Sequence, residues 1–98
     1  MAADRDLAQA LKSALVAHAD PARAVPMQAY MKSARPFHGV AAPLRRQLVA
    51  QTAAAFTLPE AAALAGTVLQ LWREATHRED RYAALDLLRL PRHRKLLT

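Results

Sequence analysis

The chain contains no cysteine and no isoleucine, and it has only two glycines. Without cysteine there can be no disulfide framework, no thiolate zinc site and no cysteine nucleophile. Two glycines leave few positions for tight hairpins, and the small β-branched set disfavours strands. No apolar run reaches the roughly 18 residues of a membrane span. These absences exclude a disulfide-rich domain and make an all-β or parallel-sheet fold a poor fit.

What is present favours helices. Alanine and leucine, 24 and 15 of the 98 residues, are both strong helix formers. With 53% apolar and 22% charged residues, the chain has the composition of a folded protein rather than a disordered tail. Its length fits a single domain over residues 1–98, or part of one. The first residues are acidic and resemble no targeting segment, so we expect a soluble, cytoplasmic protein.

Capping residues and prolines place the first two helices. Asp4 is a predicted N-cap, and its helix should end near His18. Asp20 and Pro21 have the residue types of an N-cap and a first helical position. Pro26 should break or offset the first turn of that second helix. The next segment, Pro36–Val40, is a predicted loop in which Gly39 takes a positive φ.

Three more helices follow on short turns. Pro43 should open the third helix, with Ala42 at a cap position where it cannot accept a hydrogen bond. Thr57–Glu60 should open the fourth helix. Thr76–Glu79 fits a capping box for the fifth, which ends at Leu90. Five helices on short loops predict an all-α fold of antiparallel helix pairs, either a solenoid or a small bundle.

Positive charge is the main clue to a partner. The net charge of +6 comes mostly from 11 arginines, against three lysines. Such a surface suits a polyanion, or it is simply a solvated face. Arg45 and Arg46 lie in the first turn of the third helix, where the helix dipole disfavours cations. Either an anionic partner or a nearby carboxylate would explain them. A second basic cluster comprises Arg89, Arg92, Arg94 and Lys95.

Other chemically interesting residues have ordinary structural interpretations. The four histidines match no metal-binding spacing, so no metal site is predicted. Asp86 lies beside the apolar face of its helix, where we expect an ion pair with Arg89 or Arg81. Trp72 and Tyr82 fall on apolar stripes and are predicted core residues. Tyr30 also lies on a stripe, but its hydroxyl can reach the surface at the helix end.

Several segments in order resemble the N-terminal part of the AlkD-type DNA alkylation-repair glycosylases. The resemblance extends over about residues 7–90, and the order and spacing of the segments carry it. The segments are Pro26–Lys32, Phe37–Val40, Pro43–Leu48, Leu71–Glu74, Arg78-Glu79 and Ala83–Leu88.

The resemblance implies a HEAT-like superhelix of stacked helix pairs, of which this chain is a fragment of about five helices. Its basic concave face would hold duplex DNA by the phosphate backbone. The implied enzyme excises N3- and N7-alkylated purines by hydrolysing the N-glycosidic bond, without metal or cofactor, in the bacterial cytoplasm at the nucleoid. Tyr30 would face the DNA cleft, and Arg45 and Arg46 would contact DNA, with Arg46 the better candidate for a phosphate.

The chain also departs from the family pattern. Ala41 and Ala42 offer no side-chain contact to phosphate where some members have polar residues. The family's catalytic tryptophan, aspartate and arginine elements have no match here and are expected beyond Thr98. No catalytic residue is therefore predicted, and these residues alone should be inactive. The alternative is a non-catalytic helical-repeat module that binds a protein, or itself, through an open C-terminal face at Leu96 and Leu97.

Overall fold

The computed structural model describes residues 3–97, and the regular structure of this part of the chain is entirely helical. The predicted all-α fold is confirmed. No helix within these residues is both long and apolar enough to cross a membrane. The elements are α1 (Arg5–Ala17), α2 (Pro21–Tyr30), α3 (Ala42–Ala53), α4 (Ala61–Arg73), α5 (Arg78–Arg89) and a final 3₁₀ helix (Pro91–Leu97).

The aspartate caps behave as the sequence predicts. The Asp4 carboxylate accepts the Leu7 N–H at 2.9 Å, and the Asp20 carboxylate accepts the N–H groups of Ala22 and Arg23. The expected interruption at Pro26 is absent, because α2 continues through it to Tyr30. Proline removes one intrahelical hydrogen bond there, and its ring is exposed, so the turn accommodates it.

Three other helix starts differ from prediction, and α4 begins only at Ala61, after Thr57–Glu60. Helix α3 begins at Ala42, and Ala41 is its N-cap, which makes no side-chain capping bond. Helix α5 has His77 rather than Thr76 as its N-cap. The Asp80 carboxylate, not that of Glu79, accepts the N-cap N–H at 3.0 Å. Because Asp80 makes the capping bond, the Glu79 carboxylate is available for other hydrogen bonds.

The core is built by one face each of α1, α3, α4 and α5. Helix α1 packs against the other three, and α4 packs against α5. Fully or nearly fully buried alanines on α1, α4 and α5 let the helix backbones approach closely. The buried apolar side chains of these helices are Leu7, Ala8, Leu11, Leu15, Leu48, Val49, Ala53, Ala63, Leu64, Leu71, Ala83, Ala84 and Leu87.

The prediction that Trp72 and Tyr82 are core residues needs correction. Trp72 is 38% exposed, and Tyr82 is only partly buried. On α5 the alanine-rich face turns inward, and the face that carries Tyr82 lies at the edge of the core. An apolar stripe identifies a face of a helix, but the neighbouring helices determine which part of that face is covered.

Candidate nucleic-acid interface

Tyr30 and Arg45 lie on the wall of one pocket, which we call the Tyr30 pocket. It lies between α2, the 36–40 loop and the helices α3 and α5, has a volume of about 400 Å³ and is mostly apolar. Arg23, Met27 and Tyr82 also line it. Tyr30 is 87% exposed at the end of α2. The fold thus brings together two of the three predicted DNA-contacting residues from different helices.

Arg45 is held in place by an acid that the sequence analysis assigned to other arginines. Its Nε donates to Asp86 Oδ2 at 2.6 Å and its Nη2 to Oδ1 at 3.3 Å, a two-pronged pair between α3 and α5. The expected pairing of Asp86 with Arg89 or Arg81 is therefore wrong. The guanidinium also lies 5.1 Å from the centre of the Tyr82 ring. Arg45 is largely neutralised and fixed in orientation, with its remaining N–H groups near the pocket.

Arg46, one residue further along α3, is in a different environment. It is exposed, and no hydrogen bond or ion pair joins its side chain to another residue within 3–97. Because successive residues of a helix point about 100° apart, Arg46 cannot share the Asp86 pair. Its charge remains available to an external anion.

Glu79 connects the Tyr30 pocket to the core. Its side chain is 1% exposed, and its carboxylate accepts the backbone N–H groups of His38, Gly39 and Val40 at 2.9–3.0 Å. The 36–40 loop is thereby held against the first turn of α5. Gly39 has φ +93°, as predicted, and a Cβ there would lie 2.0 Å from the Asp20 backbone oxygen. Helix α2 packs directly on this glycine.

A second polar cluster lies beside Glu79. Asp80 Oδ1 lies 3.0 Å from His38 Nε2, and Asp80 Oδ2 accepts the backbone N–H groups of Thr76 and His77. Burial works to raise the pKa of Asp80, but the hydrogen bonds from His38, His77 and Thr76 outweigh it and lower that pKa to about 2. A carboxylate only accepts hydrogen bonds, so His38 Nε2 carries the hydrogen.

His38, His77 and Asp80 also satisfy the distance requirement for a metal site. One possible ligand atom from each lies within 4.8 Å of the others. However, the two imidazoles are stacked, with ring centres 3.8 Å apart and planes 14° from parallel. Metal-binding lone pairs lie in the ring plane, so stacked rings cannot direct them at one ion unless a ring turns. Both Asp80 oxygens already accept hydrogen bonds, and the arrangement fits a structural cluster better than a metal centre.

Sequence reasoning missed Glu79, Asp80 and His38 as the residues that position the pocket. A helix that starts Arg-Glu-Asp-Arg is an ordinary solvated first turn in sequence terms. The one available signal was Gly39 between Pro36 and Pro43, which marks a constrained loop. Nothing local indicates that a glutamate about 40 residues later accepts its N–H groups.

The sequence matches a known protein family over most of its length. A sequence model of the family described as DNA alkylation repair enzyme matches residues 11–96. The chain belongs to the DNA alkylation repair enzyme family. The match covers α2 to α5 and the second half of α1, and so contains every residue of the Tyr30 pocket. Among curated proteins, no sequence matches the chain.

Membership in this family supports a role in DNA alkylation repair and makes DNA the natural partner for a basic surface. Within the described residues, the buried carboxylates of Glu79 and Asp80 accept hydrogen bonds from backbone groups and His38. The partly buried carboxylate of Asp86 binds Arg45. Each of these three carboxylates is engaged by groups of the protein itself. Tyr30 and Arg46 are the exposed members of the predicted set.

Proposed function

We propose that this chain forms part of the DNA-binding wall of an N-glycosylase that excises N3- and N7-alkylated purines from duplex DNA. The observation that carries the proposal is the family match over residues 11–96, together with a face on which Tyr30 and Arg45 converge. The partner is the phosphate backbone of the duplex. Alkylation leaves the purine cationic and already a good leaving group, so the wall needs only to hold and orient the DNA.

The proposed roles of the three residues follow from their surroundings. Arg46 contacts a phosphate, because it is exposed and has no counter-ion within residues 3–97. Tyr30 packs its exposed ring against the backbone at the mouth of the Tyr30 pocket. Arg45 acts mainly by position, since Asp86 already neutralises most of its charge. We propose no catalytic residue here, because the buried acids are engaged elsewhere.

A salt titration of DNA binding tests the proposal. Fluorescence anisotropy with a labelled, unmodified duplex should show affinity that falls steeply with salt. Arg46→Ala should weaken binding and lower the slope of log K against log salt by about one. Arg73→Ala is the matched control, because Arg73 is an exposed arginine of α4 on a different groove. Salt-independent binding, or equal slopes for the two variants, would overturn the proposal.

A non-catalytic interaction module is the second candidate. Leu69 and Trp72 are exposed on α4, which is the observation that favours a protein partner or a second copy of the chain. Light scattering over a concentration series distinguishes the two. If the measured mass grows with concentration, and the Leu69→Ser variant stays monomeric, the result supports the interaction module. A constant monomer mass together with salt-dependent DNA binding supports the repair role.

A further inference from the structure

Three arginines line a second pocket, which contains none of the predicted DNA-contacting residues. The pocket lies between the loop at Ser33–Arg35, the end of α4 and the start of α5, with a volume of about 400 Å³. Arg35, Arg78 and Arg81 contribute their side chains to its wall, along with Trp72. We call it the arginine pocket. It shares Tyr82 with the Tyr30 pocket.

Neutral groups of the protein hold each guanidinium in place. Arg35 Nη1 donates to the Ala75 carbonyl at 2.7 Å. Arg78 donates to the Tyr82 hydroxyl at 2.6 Å and to Ser33 Oγ at 3.3 Å. Arg81 Nε donates to the Trp72 carbonyl at 3.3 Å, and its guanidinium lies 4.6 Å from the centre of the indole. A guanidinium has five N–H groups, so each keeps donors to spare.

No acid balances these three charges. Within residues 3–97, the ion pairs of arginine with carboxylates involve Arg23 and Arg45 instead. Glu79 and Asp80 stand between Arg78 and Arg81 in sequence, but their carboxylates are turned toward the 36–40 loop and His38. The first turn of α5 adds the positive end of a helix dipole. Three positive charges around one pocket repel one another, and an anion bound between them would relieve that repulsion.

We propose that the arginine pocket binds a phosphate group. Arginine forks match phosphate oxygens with paired hydrogen bonds, and these three are already oriented by the contacts above. The phosphate can belong to a DNA backbone or to a free anion. In the first case the site rests on the proposed DNA-binding function and adds a contact beyond Arg46. In the second case it stands by itself.

The environment of Trp72 provides a direct readout, because it is the only tryptophan of the chain. Inorganic phosphate is titrated into the protein while tryptophan emission is followed, with sodium chloride at matched ionic strength as the reference. Calorimetry gives the affinity independently of the indole. We expect a saturable emission change with phosphate, and weakening of about tenfold in Arg81→Gln, since a charge-assisted hydrogen bond contributes more than 1.4 kcal/mol.

Arg35→Gln is the second variant, in case Arg81→Gln disturbs Trp72. Arg92→Gln is the matched control, because Arg92 is exposed and lines a different pocket. Circular dichroism checks that each variant is folded. Phosphate affinity unchanged in both pocket variants, or an emission change that follows ionic strength alone, would overturn the proposal.

A duplex DNA arm separates the two sources of phosphate. If the ligand is the DNA backbone, Arg81→Gln lowers the salt slope of DNA binding as Arg46→Ala does. If it is a free anion, Arg81→Gln loses phosphate affinity and keeps the DNA slope. If the unmodified protein binds phosphate but not DNA, the result contradicts the proposed function and still supports the arginine pocket. Intact DNA binding without phosphate affinity contradicts only the pocket.

Discussion

Helices α1 and α2 have the same kind of N-cap but are packed differently. Each starts at an aspartate N-cap whose carboxylate accepts N–H groups of the first turn. Helix α1 buries four residues in the core, whereas α2 buries none and packs against no other helix of the described chain. Helix α2 is joined instead to the 36–40 loop, through the hydrogen bond from Asp20 N–H to the His38 carbonyl at 2.9 Å.

The difference shows two ways of fixing a helix. Apolar burial fixes α1, and each leucine contributes roughly 1.5–3 kcal/mol. Polar contacts fix α2 indirectly, since Glu79 holds the 36–40 loop and the loop holds the helix. The helix that carries Tyr30 is therefore attached through a few hydrogen bonds. The predictions below test this division.

The largest effect is expected from Leu11→Ala in α1. Leu11 is 2% exposed, so its truncation should lower the free energy of unfolding by about 2–5 kcal/mol through lost burial and a cavity. Val25→Ala in α2 is the control, because Val25 is 72% exposed and its loss should change stability by less than about 0.5 kcal/mol. Urea denaturation measures both, and similar losses would contradict the comparison.

Glu79→Gln should rank second, at about 3 kcal/mol. The amide keeps one acceptor oxygen for three backbone donors and turns N–H groups toward the rest. Glu60→Gln is the control, since Glu60 is exposed and its side chain makes no capping bond. Hydrogen exchange should show lost protection in the 36–40 loop and α2, with α1 unchanged. Uniform loss across all helices would mean that Glu79 supports the core as a whole.

Gly39→Ala should cost about 1–3 kcal/mol, because it forces a side chain into a positive-φ conformation. The new Cβ would also collide with the Asp20 backbone, so α2 must move. We expect weaker DNA binding through Tyr30, alongside near-native circular dichroism. Gly66→Ala is the comparison variant, because its Cβ would also crowd a backbone, at 3.0 Å from Ala3 N, but at a glycine without positive φ. Unchanged DNA binding in a folded Gly39→Ala protein would show that α2 does not contribute to DNA binding.

The smallest expected effect is a loss of stability in acid. Asp80 has a pKa of about 2 in the folded protein against an ordinary 3.8, so its contribution is complete above 3.8 and disappears as the pH falls toward 2. Burial, followed by the charge of His38, lowers the pKa of His77 from 6.5, so protonation of that ring below 6.5 also favours unfolding. Denaturation midpoints measured against pH should fall through both ranges. Asp80→Asn should flatten the lower one, and an unchanged slope would refute the assignment.

Much of the fold could be predicted from local patterns. Leu7, Leu11, Leu15 and Val16 recur at helical spacing, which predicts one apolar face. The three leucines are buried, whereas Val16 is 63% exposed. The same kind of spacing in Met27, Tyr30 and Met31 suggests an equally buried face, yet Tyr30 and Met31 are exposed. Periodicity predicts that a helix has an apolar side. It does not predict which element, if any, packs against that side.

The candidate site was less accessible to such reasoning. Tyr30, Arg45 and Arg46 came from the family resemblance, and their contact with DNA remains a prediction. The partner of Arg45 lies 41 residues away, and the loop groups bound by Glu79 lie about 40 residues before it. A charged residue has many candidate partners in a sequence, and only the packing of α3 against α5 selects one.

By itself the sequence determines the helices, the two aspartate caps and the positive φ of Gly39, because these depend on interactions among residues a few positions apart. The tertiary structure decides that Glu79 and Asp80 face the 36–40 loop, and that Arg35, Arg78 and Arg81 surround one pocket without an acid. A charged side chain on a helix surface has no particular partner until other helices pack against that surface. The physical reason is that long-range ion pairs and hydrogen bonds form only after apolar burial has brought their elements together.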